Sequence, residues 1–130
     1  MRVKQFNTSV GLQIFKAFSE LPRIRVINLL FNRGPLSTSD LELILEFTQA
    51  KTSRHLMYLK GTGLVSSKRI DQWVMYSMND EFGEIITQLL NYFEKDVQLK
   101  NDLETCDVLK SNRELSTSKM NLKKLMREKL

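Results

Sequence analysis

A chain of 130 residues, 42% hydrophobic and 27% charged, is long enough to bury the core of one domain without a disulfide or metal staple. That balance excludes a disordered chain, and no run of about 18 apolar residues is present to cross a membrane as a helix. The single cysteine, Cys106, excludes an internal disulfide framework and a cysteine-rich zinc site, and it fits a reducing, cytoplasmic setting.

The net charge of +5 is unevenly spread: residues 1–79 carry +6, residues 80–115 carry −5 and residues 116–130 carry +4. A basic body points to an anionic partner; the alternative is a set of solvated faces. Met1 to Val10 has basic residues but no apolar stretch, so it does not read as a secretory signal. Asn7-Thr8-Ser9 has the spacing of a glycosylation acceptor and is then read as chance.

Val10 to Phe18 reads as a first helix, with Leu12, Phe15 or Ile14, and Phe18 on one stripe. Leu21-Pro22 interrupts it, and Pro22 suits the first turn of a second helix carrying Ile24, Ile27, Leu30 and Phe31 up to Gly34-Pro35. Ser37 or Ser39 starts a third helix; Glu42 stands three residues after Ser39, the spacing of a capping box. Thr48 caps a fourth helix from Gln49 to about Lys60, stopped at Gly61-Thr62-Gly63. The period then changes. Leu64 to Ile70 and Trp73 to Met78 are two β-prone runs joined at Asp71-Gln72, which reads as a hairpin. A longer helix resumes at Phe82 and carries Ile85, Ile86, Leu89, Leu90, Phe93 and Val97 toward Asn101. Leu103 to Arg113 is a candidate for a further helix, followed by a basic amphipathic segment, Ser116 to Leu130. The expected fold is mainly α with a two-stranded β-hairpin: a winged helix-turn-helix of four helices, a hairpin and a fifth helix, plus a C-terminal helical extension.

Particular residues carry a more specific resemblance. Ile14 to Glu20 followed by Pro22 to Leu30, the Leu36-Ser37-Thr38-Ser39-Asp40-Leu41 segment, Thr52-Ser53-Arg54-His55-Leu56-Met57-Tyr58-Leu59-Lys60 with Gly63-Leu64-Val65, and Trp73 to Met78 together resemble ArsR-family repressors. The resemblance covers about residues 10–97, and the Ser-Arg-His-Leu block followed by Gly-Leu-Val is its most specific part. It implies a homodimeric transcriptional regulator that binds a double-stranded DNA operator and is usually released by an inducer, here of unknown identity. It divides the chain into a DNA-binding and dimerisation domain, residues 1–98, and a helical extension or basic tail, residues 99–130. It also implies a dimer surface from the first helix, with Phe15, and the fifth, with Phe82, Ile85, Ile86, Leu89 and Phe93.

The departures concern metal. Many members bind metal through cysteines around the third helix, where this chain has Ser37 and Ser39. Others use histidines and carboxylates on the dimerising helix; here Asp80 and Asp96 remain, but Phe82 and Phe93 stand where imidazoles are needed. Zinc takes nitrogen and sulfur ligands, usually four, and this chain has one His and one Cys. No metal site and no cofactor is expected.

On the fourth helix, steps of about 100° place Thr52, Leu56 and Leu59 on one stripe toward the core. Ala50, Lys51 and Arg54 fall on the far side with Met57 and Tyr58, and Gln49, Ser53 and His55 flank it. Arg54 can make a bidentate contact to guanine and Gln49 to adenine, while Ser53 and Lys51 suit phosphate. The bland alternative is an amphipathic helix with a solvated polar face. Lys68 and Arg69, before the wing tip, can reach the minor groove or backbone; alternatively they keep a strand soluble. His55 suits a structural hydrogen bond or a phosphate better than catalysis, since no nucleophile or acid–base pair lies at a telling spacing. No enzyme activity is expected. The rival reading is a winged-helix protein-interaction module without DNA binding, against which Lys51 and Arg54 argue.

Overall fold

Pro22 lies in the first turn of a helix, where its missing N–H costs no hydrogen bond. The computed structural model describes residues 6–120. Its helices are α1 (Thr8–Ala17), α2 (Leu21–Arg33), α3 (Thr38–Leu45), α4 (Gln49–Thr62), α5 (Gly83–Asn91) and α6 (Val97–Ser111). Its strands are β1 (Leu36–Ser37), β2 (Val65–Ile70) and β3 (Trp73–Met78). A Cβ at Gly34 would stand 2.5 Å from the carbonyl oxygen of Leu30, so only glycine fits where α2 hands over to β1.

The helix starts follow local chemistry. Ser37 caps α3 by accepting from the Asp40 N–H, and Asp40 accepts in return from the Ser37 N–H. The capping box therefore runs from Ser37 to Asp40, not from Ser39 to Glu42. Thr48 caps α4 by accepting from the Lys51 N–H, and Gly63 ends it in the left-handed region at φ 85°.

The sheet has three antiparallel strands in the order β1-β3-β2. Its wing, β2 and β3, pairs Val65 with Met78 and Ile70 with Trp73 around a turn in which Asp71 takes φ 56°. The third strand, β1, pairs Leu36 with Tyr76 and Ser37 with Met75, and it was not expected.

The stretch from Phe82 departs furthest from expectation. A single helix toward Asn101 is replaced by a short 3-10 turn, Asp80–Phe82, then α5, which ends at Asn91. The chain turns through residues 92–95, and Asp96 opens α6 by accepting from the Leu99 N–H. Phe93 and Val97 thus sit in and beyond a break, 38% and 68% exposed, and do not extend the apolar stripe of α5. The expected boundary after Asn101 is absent, since α6 runs unbroken to Ser111.

One core joins all six helices. Ile14 and Ala17 of α1, Val26, Ile27, Leu29 and Leu30 of α2, Leu41 of α3, Leu56 and Leu59 of α4, Ile86 of α5 and Cys106 of α6 are buried in it. Cys106 is packed as a small apolar residue, and burial pushes its thiol pKa up. Past α6, Arg113 turns the chain at φ 59°, and Leu115 re-enters the same core. A smaller cluster under the wing packs Ile70, Met75 and Met120 against Trp73. Residues 116–120 of the expected basic tail are therefore partly inside the body, while 121–130 lie outside the described residues. Among the described residues no helix is long and apolar enough to cross a membrane.

Candidate nucleic-acid interface

The inner face of α4 is Thr52, His55, Leu56 and Leu59, each at most 3% exposed. Thr52 adds a hydrogen bond to the Thr48 carbonyl, 2.9 Å, which fixes the first turn. The opposite face carries Gln49, Ala50, Arg54 and Met57, all exposed, with Ser53 half-buried at its margin. Among the described residues Arg54 has no ion-pair partner. A helix N-terminus with exposed first-turn residues, an unpaired arginine and an amide side chain can meet phosphate and base edges.

Three cation–ring contacts surround the helix. The Lys51 ammonium lies 4.1 Å from the centroid of Phe47, and the Arg25 guanidinium lies 5.2 Å from the same ring. Lys51 is thus half-buried along Phe47 instead of extended. Toward the other end of α4, Arg23 places its guanidinium 4.2 Å from the ring of Tyr58. Arg23 is itself buried, pairing with Glu20 at 2.8 Å and donating to the carbonyls of Ala17 and Lys16. It thereby ties the end of α1 to α4.

His55 corrects an expectation. It is 3% exposed, turned inward instead of flanking the open face. At 100° steps it lies 60° from Thr52, and the buried arc of α4 is wide enough to include it. Burial first, and then the neighbouring Arg54 charge, hold its pKa below the ordinary imidazole value. On the wing, Lys68 and Arg69 are both exposed, but neighbours on a strand point to opposite faces.

The residues expected to form a dimer surface separate into two groups. Phe82 and Ile86 are buried in the chain's own core, 8% and 0% exposed, and Ile85 and Leu89 are half-buried against it. Phe82 and Ile86 cannot serve a partner without opening that core. Phe15, 65% exposed, and Phe93 remain on the surface. Leu12 stands exposed with Phe15 on α1.

The third-helix serines are structural. Ser37 is a cap, and the Ser39 hydroxyl lies 3.0 Å from that of Ser37. Asp40, buried, also accepts from the Ser116 N–H at 2.8 Å and the Ser116 hydroxyl at 2.6 Å. This link spans 76 positions and has no local sequence signal. Nor do the bracing contacts of Arg23, Arg25 and Phe47. Among the described residues no three His, Cys, Asp or Glu side chains stand close enough to hold a metal ion.

Comparison with known proteins agrees with this geometry. The model of the bacterial regulatory protein, arsR family, matches residues 22–67, from α2 into β2. The arsenic resistance transcriptional regulator ArsR2 of Pseudomonas putida is 34% identical over 77 residues, which cover 59% of this chain and 67% of that protein. The chain spans 60% of the length of a second regulator of that organism, ArsR1, at 32% identity. The solved structure of HlyU from Vibrio cholerae superposes with a TM-score of 0.62 at 27% identity, covering 68% of this chain and 97% of that one.

Proposed function

The chain belongs to the ArsR family of bacterial regulatory proteins, and on that premise we propose that it is a homodimeric repressor. It binds an operator through α4, occludes a promoter and does not respond to metal. The observation that carries the reading is the outer face of α4. Gln49, Ala50 and Arg54 are exposed, Arg54 is unpaired among the described residues, and Thr52, Leu56 and Leu59 root the helix in the core behind them. Such a helix enters the major groove N-terminus first, with the wing on the flanking backbone. Arg54 and Gln49 reach base edges; Ser53, Lys51 and one of Lys68 or Arg69 meet phosphate. His55 supports the helix from behind and touches no DNA.

The dimer reading rests on Phe15 and Leu12 of α1 with Phe93, which leave large apolar side chains in water unless a second copy covers them. The metal-independent reading rests on Ser37, whose oxygen already caps α3, and on the donor inventory. The one thiol of the chain, Cys106, is buried in the core, so no set of thiolates is open to a soft metal ion.

The test is selection of bound duplexes from a random pool by the full chain. Enrichment of an inverted repeat with half-sites about one helical turn apart supports the reading. A pool that stays random while the protein remains folded favours the interaction-module alternative.

A further inference from the structure

A cavity of about 480 Å³ opens where the end of α6 and the returning segment 113–118 lean against the α2–β1 junction. Pro35, Leu36 and Leu115 give it apolar walls, above the buried Cys106. Arg33, Lys110 and Arg113 are its charged lining, and among the described residues no carboxylate lines it. Arg33 is already met by Asp107, 2.7 Å away, but neither Lys110 nor Arg113 has an ion-pair partner among the described residues. The site therefore offers an apolar slot with two positive charges that make no direct ion pair among the described residues, and hydroxyls from Ser111, Thr117 and Ser118. Its volume falls in the range of small-molecule sites, about 300–1,000 Å³.

The same wall is wired to the DNA-reading motif. Thr117 and Ser118 follow Ser116, whose N–H and hydroxyl both bond to Asp40 and whose oxygen lies 3.1 Å from that of Ser37. Ser37 and Asp40 are the capping box of α3, the helix that packs on α4. A ligand seated against Leu115 and Thr117 bears directly on that buried link.

We propose that this cavity binds a small organic monoanion with an apolar body, such as a medium-chain carboxylate, and that its occupation is passed through Ser116 to α3 and so weakens operator binding. The second half rests on the proposed DNA-binding function; the first does not. An apolar body fills the slot and displaces water, and the carboxylate meets Lys110 and Arg113.

Octanoate is the probe, titrated calorimetrically into the full chain without DNA, with octanamide as its neutral counterpart. Saturable binding of one octanoate per chain is expected, with octanamide weaker by about tenfold. Lys110→Gln combined with Arg113→Asn should weaken octanoate by a similar factor, asparagine being tolerated at the left-handed position. Both side chains are exposed, so the fold should be retained. No saturable binding, or equal binding of octanamide, or an unaffected double variant, overturns the site. Operator affinity is then read with and without saturating octanoate, in the parent chain and in Ser116→Ala. A severalfold weakening in the parent that is absent in Ser116→Ala supports the link. Octanoate binding with unchanged operator affinity overturns the link and leaves the site standing. If no duplex binds at all, the DNA-binding reading fails, and the calorimetric result still decides the site.

Discussion

The arginines of α2 and those of α4 and the wing are the same residue type put to opposite use. Arg23, Arg25 and Arg33 each meet a carboxylate, on Glu20, Asp102 and Asp107 respectively. Arg54 on α4 and Arg69 on β2 meet none among the described residues. Two of the three acids lie in the −5 segment, on α6, so two of that segment's nine acids are met by α2. Arg54 on α4 and Arg69 on the wing, both exposed, are among the cations left uncovered. Net charge by segment pointed to an anionic partner; pairing by residue shows which cations are still open to one.

The largest expected effect lies on the paired side. Asp102 is 3% exposed, accepts two hydrogen bonds at 2.9 Å from Arg25 and takes a third from Gln98. Asp102→Ala leaves the arginine charge uncompensated in a mostly buried seam, and denaturant unfolding should show a loss of about 3 kcal/mol. A loss under about 0.5 kcal/mol would mean that the pair is not structural and that Arg25 belongs with the open cations.

Arg54→Ala should behave in the opposite way. Operator affinity should fall by about 1–3 kcal/mol per half-site, with relaxed preference at one base position. The unfolding midpoint should stay put, because an exposed, unpaired side chain contributes little to stability. Fluorescence anisotropy beside a denaturation curve separates the two; a stability loss with unchanged affinity would erase the distinction between α2 and α4.

Why this division was only half legible is a matter of range. Thr48 and Gly63, which bound α4, act on backbone groups within three residues; the Thr48 cap and a stop within Gly61-Thr62-Gly63 are legible in the sequence, although the helix runs on to Thr62 instead of ending near Lys60. The two residues of β1 are too few to show alternation, so the third strand left no signal. The break at residues 92–96 was hidden because apolar Phe93 and Val97 happen to continue the period of α5 across it. His55 was misplaced because periodicity gives the centre of a buried face, not its width. Asp102–Arg25 and Ser116–Asp40 join residues more than 70 positions apart, and no local pattern encodes such pairs.

Smaller effects sharpen the same contrast through pH. His55 has its pKa lowered by burial, so the unfolded chain binds more protons as pH falls below about 6.5. Stability should therefore decline from pH 7 toward the folded-state pKa, and His55→Gln should flatten that stretch of a melting-temperature profile. A profile identical in both proteins would place His55 in solvent. Asp107 is the weakest case. The Arg33 hydrogen bond lowers its pKa, so its contribution is present above about pH 4 and is lost as pH falls through the folded value. Half of its side chain is exposed, so Asp107→Asn should cost less than about 1 kcal/mol at neutral pH. A larger loss would show that the whole α2–α6 seam acts as one network.

The most direct test is the salt dependence of operator affinity, because each cation that meets phosphate releases counterions and adds to the slope of log affinity against log salt. The Lys51→Ala, Arg54→Ala double variant should lower that slope by about one unit for each phosphate left without its cation in each half-site, whereas Arg33→Ala should leave it unchanged. Equal slopes for the parent chain and the α4 variant, or a reduction on removing Arg33, would contradict the account.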